Sequence, residues 1–399
     1  MMQLPDAKSV KRASVQTDCE GLDMFVAAAL QRRAFDASEG IAPHVARQLA
    51  DAEKGRVAIN TLRTTLRAPL QRFALQTLQQ QLHELQGRHV EDGAIMVLDN
   101  VSGEVLAWVG SSGELSGAAE VDGVTALRQP GSTLKPFLYA QAIAERPMTA
   151  ASLLDDASTQ IQTADGLYIP KNYDRHFKGW VSARTALAAS LNVPAVRTLV
   201  MVSPDAFQKQ LVSLGLPLKE GGDYYGFSLA LGSADVSLLN LTNAYRALGN
   251  AGRYSATSLT VKAKAPVRQV LDSRAAFIVG DILSDPLARA RTFGTDSVLA
   301  TRFWTAVKTG TSKDSLFCDA LGSQQISVRQ LALATLKVMH LQHPLGQQRF
   351  EAVVGFAQTH AQFFCQLTLV HGRVGFKQAQ DPEVNVFGFV NFKNHGDEK

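Results

Sequence analysis

The chain has 399 residues and a net charge of +4; 46% of its residues are apolar and 19% are charged, which excludes a disordered chain and favours two to three globular domains. It carries no dense Lys/Arg arm for nucleic acid and no Cys-x-x-Cys pair, so a nucleic-acid partner, a zinc ribbon and a disulfide scaffold are not expected, and no cofactor motif is found. No run of about 18 apolar residues occurs, and the polar segment Met1–Glu20 has no signal-peptide core, so the sequence predicts neither an anchor nor an export signal.

The first half of the chain predicts helices followed by a hairpin. Apolar spacing favours short helices over Met24–Arg33 and Pro43–Glu53 and a stronger one over Arg63–Gln86, where leucines recur at helical intervals. Two β-rich runs within Gly93–Ser111 flank the turn Asp99–Gly103. This pattern is typical of a β-hairpin.

The second half predicts helices and a late strand. A helix is expected to begin near Ser132, directly after Pro130-Gly131, a pair typical of a turn. Residues 154–181 are rich in turns, and Ser182–Val200 has the pattern of a single helix. A further helix is predicted within Tyr225–Gly252, and a strand over Thr301–Val307.

The segment Ser132-Thr133-Leu134-Lys135 predicts a nucleophile and its base. Residues three apart at the start of a helix share a face. A serine hydroxyl is a poor nucleophile until a base takes its proton, and a lysine amine is such a base once burial or a second cation has lowered its pKa. Ser132 and Lys135 fit these two roles.

Two later segments supply further candidates. In Ser190-Leu191-Asn192, the Ser190 hydroxyl can relay a proton and the Asn192 amide can hold a substrate carbonyl. In the segment that begins at Lys308, that lysine supplies a second cation, while Gly310 allows close approach of a substrate backbone. The hydroxyls of Thr309 and Thr311 can bind a substrate carboxylate, and a backbone N–H of this segment can bind an oxyanion.

These three motifs occur in the order expected of acyl-serine enzymes. With their flanks RQPGSTLKPF, ALAASLNVPAV and AVKTGTSKD, they make the chain resemble the transpeptidase module of class A penicillin-binding proteins over residues 61–314. The resemblance implies an α/β fold of the acyl-serine transferase type, with an antiparallel sheet flanked by helices and an all-helical lobe. It also implies that residues 1–60 are the connector that follows a glycosyltransferase domain.

The resemblance assigns roles to the candidate residues. Ser132 would be acylated with Lys135 as its base, Ser190 would relay protons, and Asn192 would orient the peptide. Lys308 would orient Ser190 and bind the substrate carboxylate. On the same strand, the substrate would contact Thr309, Gly310 and Thr311. The partners implied are the D-Ala-D-Ala end of a peptidoglycan stem peptide, β-lactams, and other proteins of cell-wall synthesis, at the periplasmic face of the inner membrane.

Two alternatives use the same motifs. A DD-carboxypeptidase or serine β-lactamase would pass the acyl group to water, and a catalytically impaired fragment or scaffold would not be acylated. The second alternative arises because the chain departs from the family pattern after Asp314, so the sequence predicts doubtful structure for residues 315–399. A shift of reading frame would explain that departure.

Overall fold

The computed structural model describes residues 40–53, 61–86, 90, 92–163, 166–261, 265–295, 297, 299 and 304–311, together with the backbone of four strands farther along the chain. Contacts divide the chain into two units, Met1–Arg56 and Val57–Lys399. Helix α1, Pro43–Glu53, lies in the first unit and has the bounds predicted. The predicted helix Met24–Arg33 lies outside the described residues.

The second unit contains both helices and strands. The helices are α2 (Ala68–Glu84), α3 (Lys135–Glu145), α4 (Ala183–Ala188), α5 (Asn192–Val202), α6 (Pro204–Ser213), α7 (Gly222–Tyr225), α8 (Leu238–Gly249), α9 (Ser273–Ser284) and α10 (Pro286–Phe293). The strands are β1 (Asp92–Asp99), β2 (Val105–Val109), β3 (Leu153–Asp156), β4 (Ile161–Thr163), β5 (Gly166–Tyr168), β6 (Gly179–Ser182), β7 (Arg253–Tyr254), β8 (Arg268–Gln269), β9 (Ala306–Thr311), β10 (Leu331–Lys337), β11 (Gly355–Thr359), β12 (Gln362–Gln366) and β13 (Val384–Asn391).

A five-stranded antiparallel sheet has the order β2-β1-β13-β10-β9. The predicted hairpin is β1 and β2, in which Met96 pairs with Trp108. Strand β9, which carries the third motif, lies at one end of the order, with Lys308 opposite Ala334 of β10. Two strands that follow Asp314 along the chain, β10 and β13, therefore connect β9 to the hairpin.

Both faces of the hairpin are covered. All five residues of β2 are buried, and so are seven of the eight in β1. Because successive residues of a strand point to opposite faces, burial without alternation means that helices pack on each side. Helix α2 packs on β1 and β2, α8 packs on β1 and β13, and α9 packs on β9. The predicted fold, a helix-flanked antiparallel sheet, is confirmed.

The helical lobe is centred on α3. Phe137, Leu138 and Tyr139 have no exposed surface, which is typical of a helix surrounded by protein. Helices α5, α6 and α9 pack around α3. The ring of Phe137 meets the ring of Tyr245 on α8 edge-on, with centroids 4.9 Å apart, so the lobe and the sheet share one core.

Three sequence expectations differ from the structure. The helix predicted over Arg63–Gln86 begins later, at Ala68, with Pro69 in its first turn. The helix predicted over Ser182–Val200 is two helices, α4 and α5, because Ser190 has a φ of 60°, a left-handed conformation that interrupts the helical hydrogen bonds. The late strand begins at Ala306 rather than at residue 301, so the third motif lies within it. As a separate finding, the helices in the described part of the chain include none with the length and apolar character of a membrane span.

Candidate active site

Ser132 lies in a tight 3-10 turn, Gly131–Leu134, that leads directly into α3. Pro136 occupies the first turn of α3, where a missing N–H costs little. The hydroxyl of Tyr245 donates a hydrogen bond of 2.6 Å to the carbonyl of Thr133, inside the motif. The turn is therefore fixed from the sheet side of the molecule as well as by its own helix.

Lys135 is completely buried, three residues after Ser132. Its ammonium donates to the backbone carbonyls of Ser190 and Leu191 at 2.7 and 3.0 Å and to Oδ1 of Asn192 at 2.7 Å. Burial, reinforced by the positive charge of Lys308, lowers the pKa of Lys135 well below the ordinary lysine value. This is the change that a lysine needs in order to serve as a base.

Lys308 reaches the second motif from β9. Its Nζ donates to Oγ of Ser190 at 2.7 Å and to the carbonyl of Thr309 at 2.8 Å. The left-handed conformation of Ser190 gives its main chain and side chain different partners, since its carbonyl faces Lys135 while its hydroxyl faces Lys308. Burial lowers the pKa of Lys308 to about 7.

A buried polar network lies behind the second motif. Oδ1 of Asn172 accepts the backbone N–H of Asn192 at 2.9 Å, and Nδ2 of Asn172 donates to both carboxylate oxygens of Asp156 at 2.8 and 2.7 Å. Nδ2 of Asn192 donates to the carbonyl of Lys171 at 2.9 Å. The amide of Asn192 is thus oriented by fixed partners, with its oxygen turned to Lys135.

Three glycines bring backbone against backbone around the nucleophile. A Cβ on Gly131 would lie 2.2 Å from the carbonyl oxygen of Thr311, and one on Gly310 would lie 2.3 Å from that of Pro130. A Cβ on Gly232 would lie 2.0 Å from the carbonyl oxygen of Gly131. The turn that carries Ser132 is therefore packed between β9 and the segment at Gly232, with no room for a side chain at any of the three positions.

The structure brings the three predicted motifs together. Lys135, Ser190, Asn192 and Lys308 form one hydrogen-bonded cluster, with Ser132 on the turn that begins α3. The remaining predicted residues, Thr309, Gly310 and Thr311, follow Lys308 along β9. Sequence reasoning missed three residues that support this cluster, Asp156, Asn172 and Gly232. None of them stands beside a motif in the sequence, so no spacing signal indicated them.

Burial of Lys308 predicts a pH dependence of stability. Its pKa is about 7 in the fold and near 10.4 in an unfolded chain, so between these values the unfolded state binds more protons. The free energy of unfolding should therefore rise with pH across this window, by up to about 1.4 kcal/mol per pH unit for each such lysine. Urea unfolding at a series of pH values measures the slope.

The matched variants for this prediction are Lys308→Met and Lys209→Met, since Lys209 is exposed on α6. Lys308→Met should flatten the slope, and Lys209→Met should leave it as in the parent. An unchanged slope in Lys308→Met would contradict the prediction.

Comparison with known proteins identifies the family. Residues 93–315, more than half of the chain, match the penicillin binding protein transpeptidase domain. The chain belongs to this family. The transpeptidase module of class A penicillin-binding proteins predicted from the motifs is confirmed.

Two relatives show how much of a longer protein this transpeptidase domain represents. The chain is 35% identical over 264 residues to penicillin-binding protein 1C of Escherichia coli, covering 65% of this chain and 33% of that protein. It is 30% identical over 242 residues to penicillin-binding protein 1A of Neisseria lactamica, covering 56% of this chain and 30% of that protein. The chain thus spans about a third of the length of the relatives it matches.

Solved structures share the fold of the transpeptidase domain. The transpeptidase domain of penicillin-binding protein 3 from Burkholderia pseudomallei matches with a TM-score of 0.58 at 16% identity, over 84% of this chain and 90% of that one. A peptidoglycan glycosyltransferase from Burkholderia ambifaria matches with a TM-score of 0.58 at 17% identity, over 83% and 90%. At these identities the likeness establishes the fold.

Proposed function

We propose that the chain is a peptidoglycan DD-transpeptidase that acts through an ester on Ser132. The single observation that carries this proposal is the cluster in which two buried lysines share Ser190, one through its carbonyl and one through its hydroxyl. A buried, neutral amine at Lys135 is suited to remove the proton from Ser132, because Lys135 lies one helical turn away. Family membership supports the same reaction.

The acylation step follows from these positions. Neutral Lys135 takes the hydroxyl proton as Oγ of Ser132 attacks the carbonyl carbon between the two D-alanines of a stem peptide. The C–N bond breaks, the terminal D-alanine leaves with a proton, and an ester to Ser132 remains. Backbone N–H groups of Ser132 and Thr311 are the proposed donors to the oxyanion, and Lys308 with the hydroxyls of Thr309 and Thr311 binds the substrate carboxylate.

In the second step an amine from another stem peptide attacks the ester carbonyl. The C–O bond to Ser132 breaks, the proton lost by the amine returns to Oγ of Ser132 through Lys135, and the new amide leaves. We propose transfer to an amine rather than hydrolysis because Asp156, a carboxylate of the site's network, is already engaged in hydrogen bonds. Its oxygens accept Nδ2 of Asn172 and the backbone N–H of Lys178, so it does not serve as a base for water. The acceptor is therefore proposed to be an amine rather than water.

The proposal includes the setting of the reaction. Residues 61–314 are taken as the transpeptidase domain, residues 1–60 as a connector, and residues 315–399 as a divergent tail. The reaction is placed at the periplasmic face of the inner membrane, with stem peptides as substrates, β-lactams as mimics of D-Ala-D-Ala, and other cell-wall synthesis proteins as partners. No cofactor or metal enters the mechanism proposed.

A covalent label tests this function. Incubation of the chain with a fluorescent penicillin should give a stable adduct, and mass spectrometry of the digested protein should place the added mass on the peptide that contains Ser132. Protein unfolded in urea before incubation is the control and should stay unlabelled. An adduct on another serine, or no adduct on the folded chain, would contradict the proposal.

A further inference from the structure

Asp156 is a completely buried carboxylate at the end of β3. Its two oxygens accept Nδ2 of Asn172 at 2.8 and 2.7 Å, and the second also accepts the backbone N–H of Lys178 at 2.8 Å. The neighbouring Asp155 is partly exposed and pairs with Arg197 at 3.4 Å. Removing a charged carboxylate from water costs free energy, and hydrogen bonds or an opposite charge must offset that cost.

A continuous series of hydrogen bonds connects Asp156 to the proposed base. Asn172, held by Asp156, accepts the backbone N–H of Asn192 at 2.9 Å and that of Val193 at 3.3 Å. Asn192 in turn accepts Nζ of Lys135 at 2.7 Å. Since Asn172 is 4% exposed, this connection passes through the interior of the protein. A change at Asp156 therefore reaches the site through the placement of Asn192.

Asp156 also changes the balance of charge at the site. With both lysines protonated, Lys135 and Lys308 carry two positive charges, and Asp156 contributes one negative charge. Burial and Lys308 lower the pKa of Lys135, whereas the negative charge of Asp156 opposes them and raises it. The carboxylate therefore favours the protonated form of Lys135.

The other groups around Asp156 do not supply this charge. Burial raises the pKa of Tyr139 on α3 far above neutrality, so this residue stays uncharged. His176 and Lys178 take part in the network through a backbone carbonyl and a backbone N–H, while Nζ of Lys178 pairs with Asp174 at 2.6 Å.

We propose that Asp156 is a positioning residue that, through Asn172, orients Asn192 and contributes a buried negative charge to the hydrogen-bonded network that holds Lys135. This inference rests on the proposed acyl-serine function and extends it to the strand behind the site. The residue does not touch substrate. Its effect is exerted on the base and on the amide that holds the peptide.

The test compares Asp156→Asn with the matched control Asp155→Asn, which removes a charge from the adjacent residue outside the network. The rate of acylation by penicillin is measured from pH 5 to pH 9. Acylation needs neutral Lys135, so the rate rises with pH through the pKa of that lysine. In Asp156→Asn this rise should move to lower pH, since an opposite charge has been lost. The maximal rate should fall roughly tenfold as Asn192 loses its orientation.

Asp155→Asn should keep the parental profile. A lower maximal rate in Asp156→Asn with the rise at the parental pH would overturn the charge role, as would an equal displacement in Asp155→Asn. Should Asp156→Asn fail to fold, Asn172→Ala separates the two roles, because it breaks the series of hydrogen bonds and keeps the carboxylate. It should lower the maximal rate without moving the rise to lower pH; a parental maximal rate would overturn the positioning role.

A second readout does not depend on acylation. The titration of Lys135 is followed by NMR of protein labelled with ¹³C at the lysine Cε, with the signal assigned by its loss in Lys135→Met. The midpoint should be lower in Asp156→Asn than in the parent, and an unchanged midpoint would overturn the proposal. The two proposals can fail separately. If the parent chain forms no penicillin adduct but the midpoint of Lys135 is still lower in Asp156→Asn than in the parent, the proposed function is contradicted and the role of Asp156 is supported.

Discussion

Replacing Lys135 by methionine is expected to slow acylation of Ser132 by penicillin about 10²- to 10⁴-fold, the usual loss when a positioned base is removed. Methionine has a similar length and suits a buried position, so the change mainly removes the amine. Nζ of Lys135 is the group that joins the first two motifs, through the carbonyls of Ser190 and Leu191 and Oδ1 of Asn192. Rates of adduct formation, measured with fluorescent penicillin at a fixed pH, give the comparison.

Two further variants serve as controls for this measurement. Ser132→Ala defines the background, because it lacks the nucleophile and should give no adduct. Lys209→Met, a change of the same type at an exposed lysine, should retain the parental rate. Acylation of Lys135→Met at the parental rate would mean that another group removes the proton from Ser132.

Replacing Gly232 by alanine is expected to destabilise the fold by about 3 kcal/mol or more and to lower the acylation rate about 100-fold. Gly232 has a φ of 76°, and its Cβ would meet the carbonyl oxygen, carbon and nitrogen of Gly131 at 2.0 to 2.5 Å. Only main-chain movement relieves such a contact. That movement would displace the turn next to Ser132, where a shift of about 1 Å is enough for a loss of this size.

Gly113→Ala is the matched control for this change. Gly113 has a φ of 74°, nearly the same conformation, but no atom lies within 4 Å of the position that its Cβ would take. It carries the conformational cost alone, about 1–2 kcal/mol, and should leave acylation unchanged. Thermal unfolding and adduct formation are measured for both variants. Equal effects of the two substitutions would show that the contact between Gly232 and Gly131 is unimportant.

The residues proposed to be catalytic could be selected from the sequence because they lie in short motifs. Ser132 and Lys135 are one helical turn apart, and their order with Ser190, Asn192 and Lys308 predicts acyl-serine chemistry. Helix α1 and the hairpin of β1 and β2 followed from local apolar spacing and turn residues. For these features local pattern and final structure agree.

The supporting part could not be predicted, because it depends on contacts between distant segments. Asp156 and Asn172 are ordinary polar residues of a turn-rich region until the fold buries them together. The helix break at Ser190 lies within a sequence pattern typical of one helix. Its role is visible only in the folded state, where Lys135 binds the carbonyl of Ser190 and Lys308 binds its hydroxyl. The frame-shift hypothesis for residues 315–399 stays a prediction.

The contact between Lys308 and Ser190 joins residues 118 positions apart in the chain, and that between Lys135 and Ser190 joins residues 55 apart. Closing loops of this length lowers the entropy of the chain before the contacts stabilise it, so such pairings form slowly and late. Helices α3 and α5 depend on local hydrogen bonds and can form earlier. The ability to react with penicillin is therefore expected to be among the last properties that the chain acquires as it folds, after most of its secondary structure is in place.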